Sequence, residues 1–169
     1  MNLGTIPCMN FLRFLMLLAL AVWLGALVFF PVTAATAFSA LPDSHLAGLV
    51  VRGSLLKLHV MGFLCGALFL VCSLIYSRVM LGRINPFAFS HILIVLMLML
   101  TAISQFRIIP RMDVLRAAAG EISLLGPGDP IRREFDRLHV WSTRVEEGVL
   151  VAGIVLLYFT SRRLAATRP

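Results

Sequence analysis

Residues 14–42 read FLMLLALAVWLGALVFFPVTAATAFSALP, twenty-nine consecutive positions without one charged side chain. A helix needs about 20 predominantly apolar residues to cross the hydrocarbon core of a bilayer. The apolar part of a cleaved signal peptide is shorter, at about 7 to 15 residues. The run therefore predicts a membrane-spanning helix over about residues 12–40. We expect a kink at Pro31, because proline lacks the N–H group that a helical hydrogen bond requires.

The composition of the whole chain indicates the same environment. Its 169 residues are 60% hydrophobic and 14% charged, with a mean hydropathy of +0.95. Soluble domains carry about 25% charged residues, so an ordinary soluble fold is excluded. Further apolar runs predict spans over about residues 54–79, 86–107 and 141–161, and a polar helical hairpin over about 108–140. We expect one all-α domain, residues 1–169, forming an integral membrane four-helix bundle whose helices 2, 3 and 4 extend beyond the bilayer.

The charges favour a membrane surface over nucleic acid. The formal net charge is +7, and the arginines flank apolar runs instead of forming one patch with interleaved aromatic residues. The lipid bilayer is the expected partner, and no nucleic acid is expected. We expect a multi-pass protein of the inner cell membrane with both termini cytoplasmic, because that side then carries basic and no acidic residues. The count of Lys and Arg alone opposes this orientation.

The last apolar run is short and brings polar residues towards the membrane. Residues 148–161 form about 21 Å of helix, against a hydrocarbon thickness of about 30 Å. The fourth span must therefore include positions before residue 148. In that segment His139, Ser142, Glu146 and Glu147 follow i, i+3, i+7, i+8 spacing, which places them on one helix face.

The expected neighbours of this face lie at the same depth on other helices: His59 on the second and Gln105 on the third. Three basic residues are candidate charge partners: Arg52, Lys57 and Arg107. We expect Lys57 to pair with Glu146 or Glu147, since pairing offsets part of the cost of desolvating both charges. Six of the residues are candidate ligands for a solute: His59, Gln105, His139, Ser142, Glu146 and Glu147. The alternative is that they only hold the helices together.

The sequence contains few motifs that indicate metal binding, haem binding or catalysis. The metal, if any, is unknown, and three cysteines make no metal or disulfide framework. His59 and His91 lie about 10 Å apart in predicted depth, so His59 and His139 are the better haem pair. Two histidines without a characteristic motif seldom mean haem, so no cofactor is expected and haem stays an alternative. Without a nucleophile beside a base, a phosphate-binding loop or HExxH, no enzyme is expected.

Small residues mark the expected close contacts between helices. Gly62 and Gly66 form a GxxxG pattern in the second span, and Gly25 lies in the first. Small residues let helix backbones approach closely in membranes. The pattern does not distinguish packing within one chain from packing against a second copy or another subunit.

Several landmarks together resemble the transmembrane protein 205-like family. They are Trp23 with Gly25, the segment 33–41, Pro110 after the third span, and Phe135, Leu138, His139 and Ser142 before the fourth. The resemblance covers almost the whole chain. It implies a four-helix integral membrane protein from a family linked to tolerance of toxic metal compounds, without a settled biochemical activity. Family members carry an amide where this chain has Glu146, so the resemblance transfers no ligand role to that position.

Three functional hypotheses follow. The first is a membrane protein that handles a small solute or metal cation through its intramembrane polar cluster. The second is an accessory or structural subunit of a larger membrane complex. The third is a haem-binding membrane redox protein.

Overall fold

The computed structural model describes residues 5–81 and 89–166, with the side chains of residues 9–80 and 89–162. Within these ranges the chain is helical and has no strand, which confirms the predicted all-α class. The α-helices are α1 Thr5–Ala40, α2 Ser44–Leu81, α3 Phe89–Ile103, α4 Ile109–Ala119 and α5 Pro130–Ala166. A π-helical turn, Ser104–Ile108, joins α3 to α4, and a short 3-10 turn, Ile122–Leu124, precedes α5.

Aspartates begin two of the long helices. The Asp43 carboxylate accepts a hydrogen bond of 2.8 Å from the backbone N–H of His45 at the start of α2. The Asp129 carboxylate accepts one of 2.7 Å from the N–H of Ile131 at the start of α5. Each bond satisfies a backbone donor that has no partner within the helix. At the C-terminal end of α4, Gly120 adopts a φ of 70°, a conformation that glycine tolerates best.

The four long helices surround one core. α1 packs on α2 and α5, and α3 also packs on α2 and α5, which closes the arrangement into a ring. Trp23, Phe69, Met97 and Leu156 come from the four different helices and are at most 1% exposed. Because the predicted hairpin arm and the predicted last span form the single continuous helix α5, the polar face before residue 148 is held rigidly against this core.

Three described segments are long and apolar enough to cross a membrane: Met9–Ala40, Ser44–Met80 and Phe89–Ala119. They contain the first two predicted spans and the described part of the third, whose predicted start at residue 86 lies outside the described residues. α5 is not among the three, since its apolar run, residues 148–161, is only fourteen residues long. The structure thus supports a membrane protein.

Two of the three expected packing glycines lie against Trp23. A Cβ atom on Gly62 would stand 2.7 Å from the indole, and one on Gly66 would stand 3.1 Å from it. The GxxxG pair therefore serves packing within this chain. Gly25 differs: a Cβ there would meet nothing within 4 Å in this chain. Gly25 is two residues from Trp23, about 200° around the helix, so it faces outward when the indole faces the core.

The π-helical turn lies directly before Pro110. Proline cannot donate a backbone hydrogen bond, and its ring clashes with the carbonyl four residues earlier, which belongs to Phe106. In the turn the N–H of Ile109 bonds the carbonyl of Ser104, five residues back. Such turns are rare and frequently accompany functional sites. This one contains Gln105.

Candidate functional site

A buried histidine connects three helical elements. His59 of α2 is 1% exposed. Its Nδ1 lies 2.7 Å from Oε1 of Gln105, in the π-helical turn. Its Nε2 lies 2.8 Å from Oε1 of Glu146, on α5. We call these three side chains the histidine cluster. Three of the six ligand candidates identified in the sequence therefore meet in one hydrogen-bonded group.

The cluster constrains where protons can reside. If Gln105 and the Glu146 carboxylate both accept, both ring nitrogens of His59 carry protons and the ring is a cation beside an anion. If Glu146 is protonated, it donates to Nε2 and the pair is neutral. Both arrangements hold the same number of protons, so a proton moving along the 2.8 Å bond leaves the net charge unchanged. The pair can thus hold or pass a proton without leaving a lone charge buried.

A cavity of about 640 Å³ lies beside the cluster. Its walls come from α1, α2, α4, the 3-10 turn and the N-terminal half of α5. Glu146 lines this cavity, whereas His59 and Gln105 do not. The carboxylate, with 14% of its side chain exposed, therefore stands between the cavity and the buried imidazole.

The predicted polar face of α5 forms one wall of the cavity. His139, Ser142, Glu146 and Glu147 all line it. Ser142 is buried, with 6% exposure, while His139 and Glu147 are exposed to solvent. The helical spacing thus identified the face correctly, and the structure adds that the face borders a space large enough for a ligand.

The predicted charge partners are arranged differently. Lys57 is exposed, and within the described residues it pairs with neither Glu146 nor Glu147, so that expectation is corrected. Lys57 precedes His59 by two residues, about 200° around α2, so it points outward when the imidazole points inward. Arg107 is also exposed.

Sequence reasoning missed the ion pair at the far side of the cavity. Arg52 donates two hydrogen bonds to the carboxylate of Asp113, which joins α2 to α4. Arg116, one turn further along α4, also lines the cavity and lies 5.1 Å from the ring centroid of Phe135. The i, i+3 spacing of Asp113 and Arg116 was a usable signal, because it places both on one face of α4.

The second core histidine lies elsewhere. Nε2 of His91 is 2.9 Å from the hydroxyl of Ser73, in a contact between α3 and α2. His91 is 3% exposed, as expected for a histidine satisfied in the core. The described part of the chain holds no cluster of three or more His, Cys, Asp or Glu residues that could hold a metal ion.

The hydrogen bonds of the His59 ring nitrogens also argue against haem binding. Both nitrogens of His59 bond to side chains, so neither can ligate iron without breaking one of those bonds. The better pair of the sequence prediction, His59 with His139, joins a buried ring to an exposed one. These residues do not fit an axial haem site.

Comparison with known protein families relates the chain to a domain of unknown function. The sequence profile of a domain of unknown function, DUF4149, matches residues 18–121, more than half of the chain. The matched segment contains His59, Gln105 and the Arg52–Asp113 ion pair, and it ends before α5 and Glu146. No curated protein and no solved structure matches the chain.

Proposed function

This chain belongs to the DUF4149 family, a domain of unknown function, and we propose that it is a four-span membrane protein that binds a small solute in the cavity beside the histidine cluster. The observation that carries the proposal is the position of Glu146. Its carboxylate faces a cavity of about 640 Å³ and at the same time bonds the buried His59.

The size and walls of the cavity support a ligand site. Pockets for small molecules measure about 300–1,000 Å³, and are mostly apolar with a few placed polar groups. Here α1 supplies an apolar wall that includes Leu27, Phe30 and Ala34. The polar groups of α5 stand on another wall. A small organic solute fits this lining better than a metal ion, which needs several convergent ligands.

Binding can be tested with 1-hexanol as the probe, by saturation-transfer NMR on protein in nanodiscs. We expect wild-type protein to bind the probe and Ala34→Trp to lose binding, because the indole would fill the cavity. Ala35→Trp is the matched control, since Ala35 is the adjacent residue and does not line the cavity. Equal signals from wild type, both variants and empty nanodiscs would contradict solute binding.

The fourth crossing is supported by the outer surface of α5. Val151, Ile154 and Tyr158 are 54 to 61% exposed although two are fully apolar. Lipid is the solvent that such a surface requires. α5 has 37 residues, so it is about 55 Å long and exceeds the hydrocarbon thickness of about 30 Å. α5 would therefore cross the bilayer and extend beyond it, as would α2, which has 38 residues.

Cysteine labelling tests this topology, including the proposal that both termini are cytoplasmic. The natural cysteines are replaced by serine, and single cysteines are placed at Ser123, before α5, and Ser161, near its end. We expect a membrane-impermeant maleimide to label Ser123→Cys in intact cells and Ser161→Cys only after permeabilisation. Labelling of both positions from one side would show that α5 does not cross.

The other hypotheses receive less support. A role as an accessory subunit would use small-residue seams, but Gly62 and Gly66 are already covered by Trp23 of the same chain. Haem binding conflicts with the bonded nitrogens of His59. Membership of the transmembrane protein 205-like family, the inner membrane location and the lack of enzymatic activity stay predictions.

A further inference from the structure

Glu146 presents an acceptor to the cavity. Only Oε1 of its carboxylate bonds His59, while the residue also lines the cavity. Among the described residues, Oε2 has no hydrogen-bond partner, and it is not one of the fully buried polar atoms. A carboxylate oxygen can only accept when ionised, so it is suited to a ligand that donates.

Ser142 lies one helical turn before Glu146 and provides an independent indication. The residue is 6% exposed and lines the cavity. Its hydroxyl makes no hydrogen bond within the part of the chain that the structure describes. The Oγ atom is not among the fully buried polar atoms without a partner, so it is accessible, and it does not bond the backbone of its own helix as a helical serine can. A ligand in the cavity would satisfy it.

The charged residues around the cavity indicate the sign of the charge that a ligand would carry. Its acidic residues are Asp113, Glu121, Asp136, Glu146 and Glu147. Its arginines are Arg52, Arg116 and Arg132. His45 and His139 also line it. With all histidines counted as neutral, the five acidic residues exceed the three arginines, in a chain whose formal charge is +7. The α5 wall, with three of the carboxylates, is the acidic side.

The opposite wall determines the shape of the ligand. Leu27, Phe30 and Ala34 of α1 line the cavity without any charged residue of that helix. A ligand that contacts both walls needs an apolar body and a charged end. We propose that the cavity binds an amphiphilic organic cation, whose primary ammonium group is held by Glu146 and Ser142 while its apolar body lies against α1.

This inference rests on the proposed function and is tested by three probes with one tail. Hexylammonium, 1-hexanol and hexanesulfonate are titrated into nanodiscs that contain the full chain, with empty nanodiscs to subtract partitioning into lipid. For wild-type protein we expect hexylammonium to bind about tenfold more tightly than 1-hexanol, as suits one charge-assisted hydrogen bond, and hexanesulfonate to bind least.

Variants identify the groups responsible. Glu146→Gln should remove the preference for hexylammonium over 1-hexanol. Ser142→Ala should weaken hexylammonium about threefold or more and leave 1-hexanol nearly unchanged. Glu134→Gln is the matched control, because it neutralises another carboxylate of α5. The Glu134 side chain bonds Arg111 and does not line the cavity. It should bind all three probes like wild type. If Glu146→Gln does not fold, the Ser142→Ala result decides.

The outcomes separate the two proposals. Equal affinity for hexylammonium and 1-hexanol would overturn the cation inference and leave solute binding intact. Tighter binding of hexanesulfonate would also overturn it, and would assign the site to Arg116. If no probe binds, both the inference and the proposed function fail.

Discussion

Separating His59 from Glu146 is the perturbation with the largest expected effect on stability. The imidazole is 1% exposed and the carboxylate 14%, so water screens their interaction little. We consider His59→Leu, Glu146→Met and the double variant. Glu146→Met leaves Nε2 of His59 without its partner, and His59→Leu leaves both Glu146 and Gln105 without theirs. The double change removes both and leaves apolar side chains of similar size.

The expected magnitude follows from the burial of the pair. Removing one partner of a buried ion pair costs about 3–5 kcal/mol, while replacing both partners by apolar groups is often close to neutral. Hydrogen bonds between membrane helices average only about 0.6 kcal/mol. We therefore expect about 3 kcal/mol for each single variant. The double variant should also lose about 3 kcal/mol instead of 6, because Gln105 still lacks a partner.

Reversible unfolding of the four proteins in mixed detergent micelles measures the cycle. The account requires a coupling free energy of about 3 kcal/mol between the two positions. Losses that add to within about 0.5 kcal/mol would refute it, since residues that do not interact behave additively. That result would mean that the 2.8 Å contact does not stabilise the fold.

Two further changes test the packing and the surface charges. Gly62→Leu should destabilise the protein by about 1–3 kcal/mol, because its first side-chain atom would stand 2.7 Å from the Trp23 indole; Gly25→Leu, whose Cβ meets nothing, is the control and should be neutral or slightly stabilising in the same unfolding assay. An equal loss at both glycines would contradict the packing described. Arg52→Gln should cost no more than about 1 kcal/mol, since the ion pair with Asp113 is about a third exposed; a loss above 3 kcal/mol would show that the pair is buried in the membrane.

Much of the fold was predictable because hydrophobic runs and helix caps are local signals. The uncharged run at residues 14–42 identified α1, and Asp129 before Pro130 marked the start of α5. The π-helical turn was harder to predict. Its cause, a clash between Pro110 and the preceding turn, is local, but proline can bend a helix in several ways. The extension of the last helix beyond its apolar run was expected, and the structure shows one continuous helix, Pro130–Ala166.

The part of the site that lies on a single helix face was predictable from the sequence. Helical spacing placed Ser142 and Glu146 on a common face, and similar depth suggested His59 and Gln105 as neighbours. Which of two nearby basic residues meets Glu146 depends on the rotation of α2 about its own axis. Lys57 and His59 are two residues apart, so only packing, in which Trp23 seats against Gly62, decides which one faces inward.

The central claim is that Glu146 turns inward onto His59, and the imidazole itself can report this. Nitrogen NMR of the His59 ring, in protein held in nanodiscs, is compared among wild type, Glu146→Gln and Glu147→Gln. Glu147 is the neighbouring carboxylate and is exposed, so it is the matched control. We predict that the Nε2 resonance of His59 shifts in Glu146→Gln and stays unchanged in Glu147→Gln. An unchanged Nε2 resonance in Glu146→Gln, or the same shift in both variants, would contradict the account.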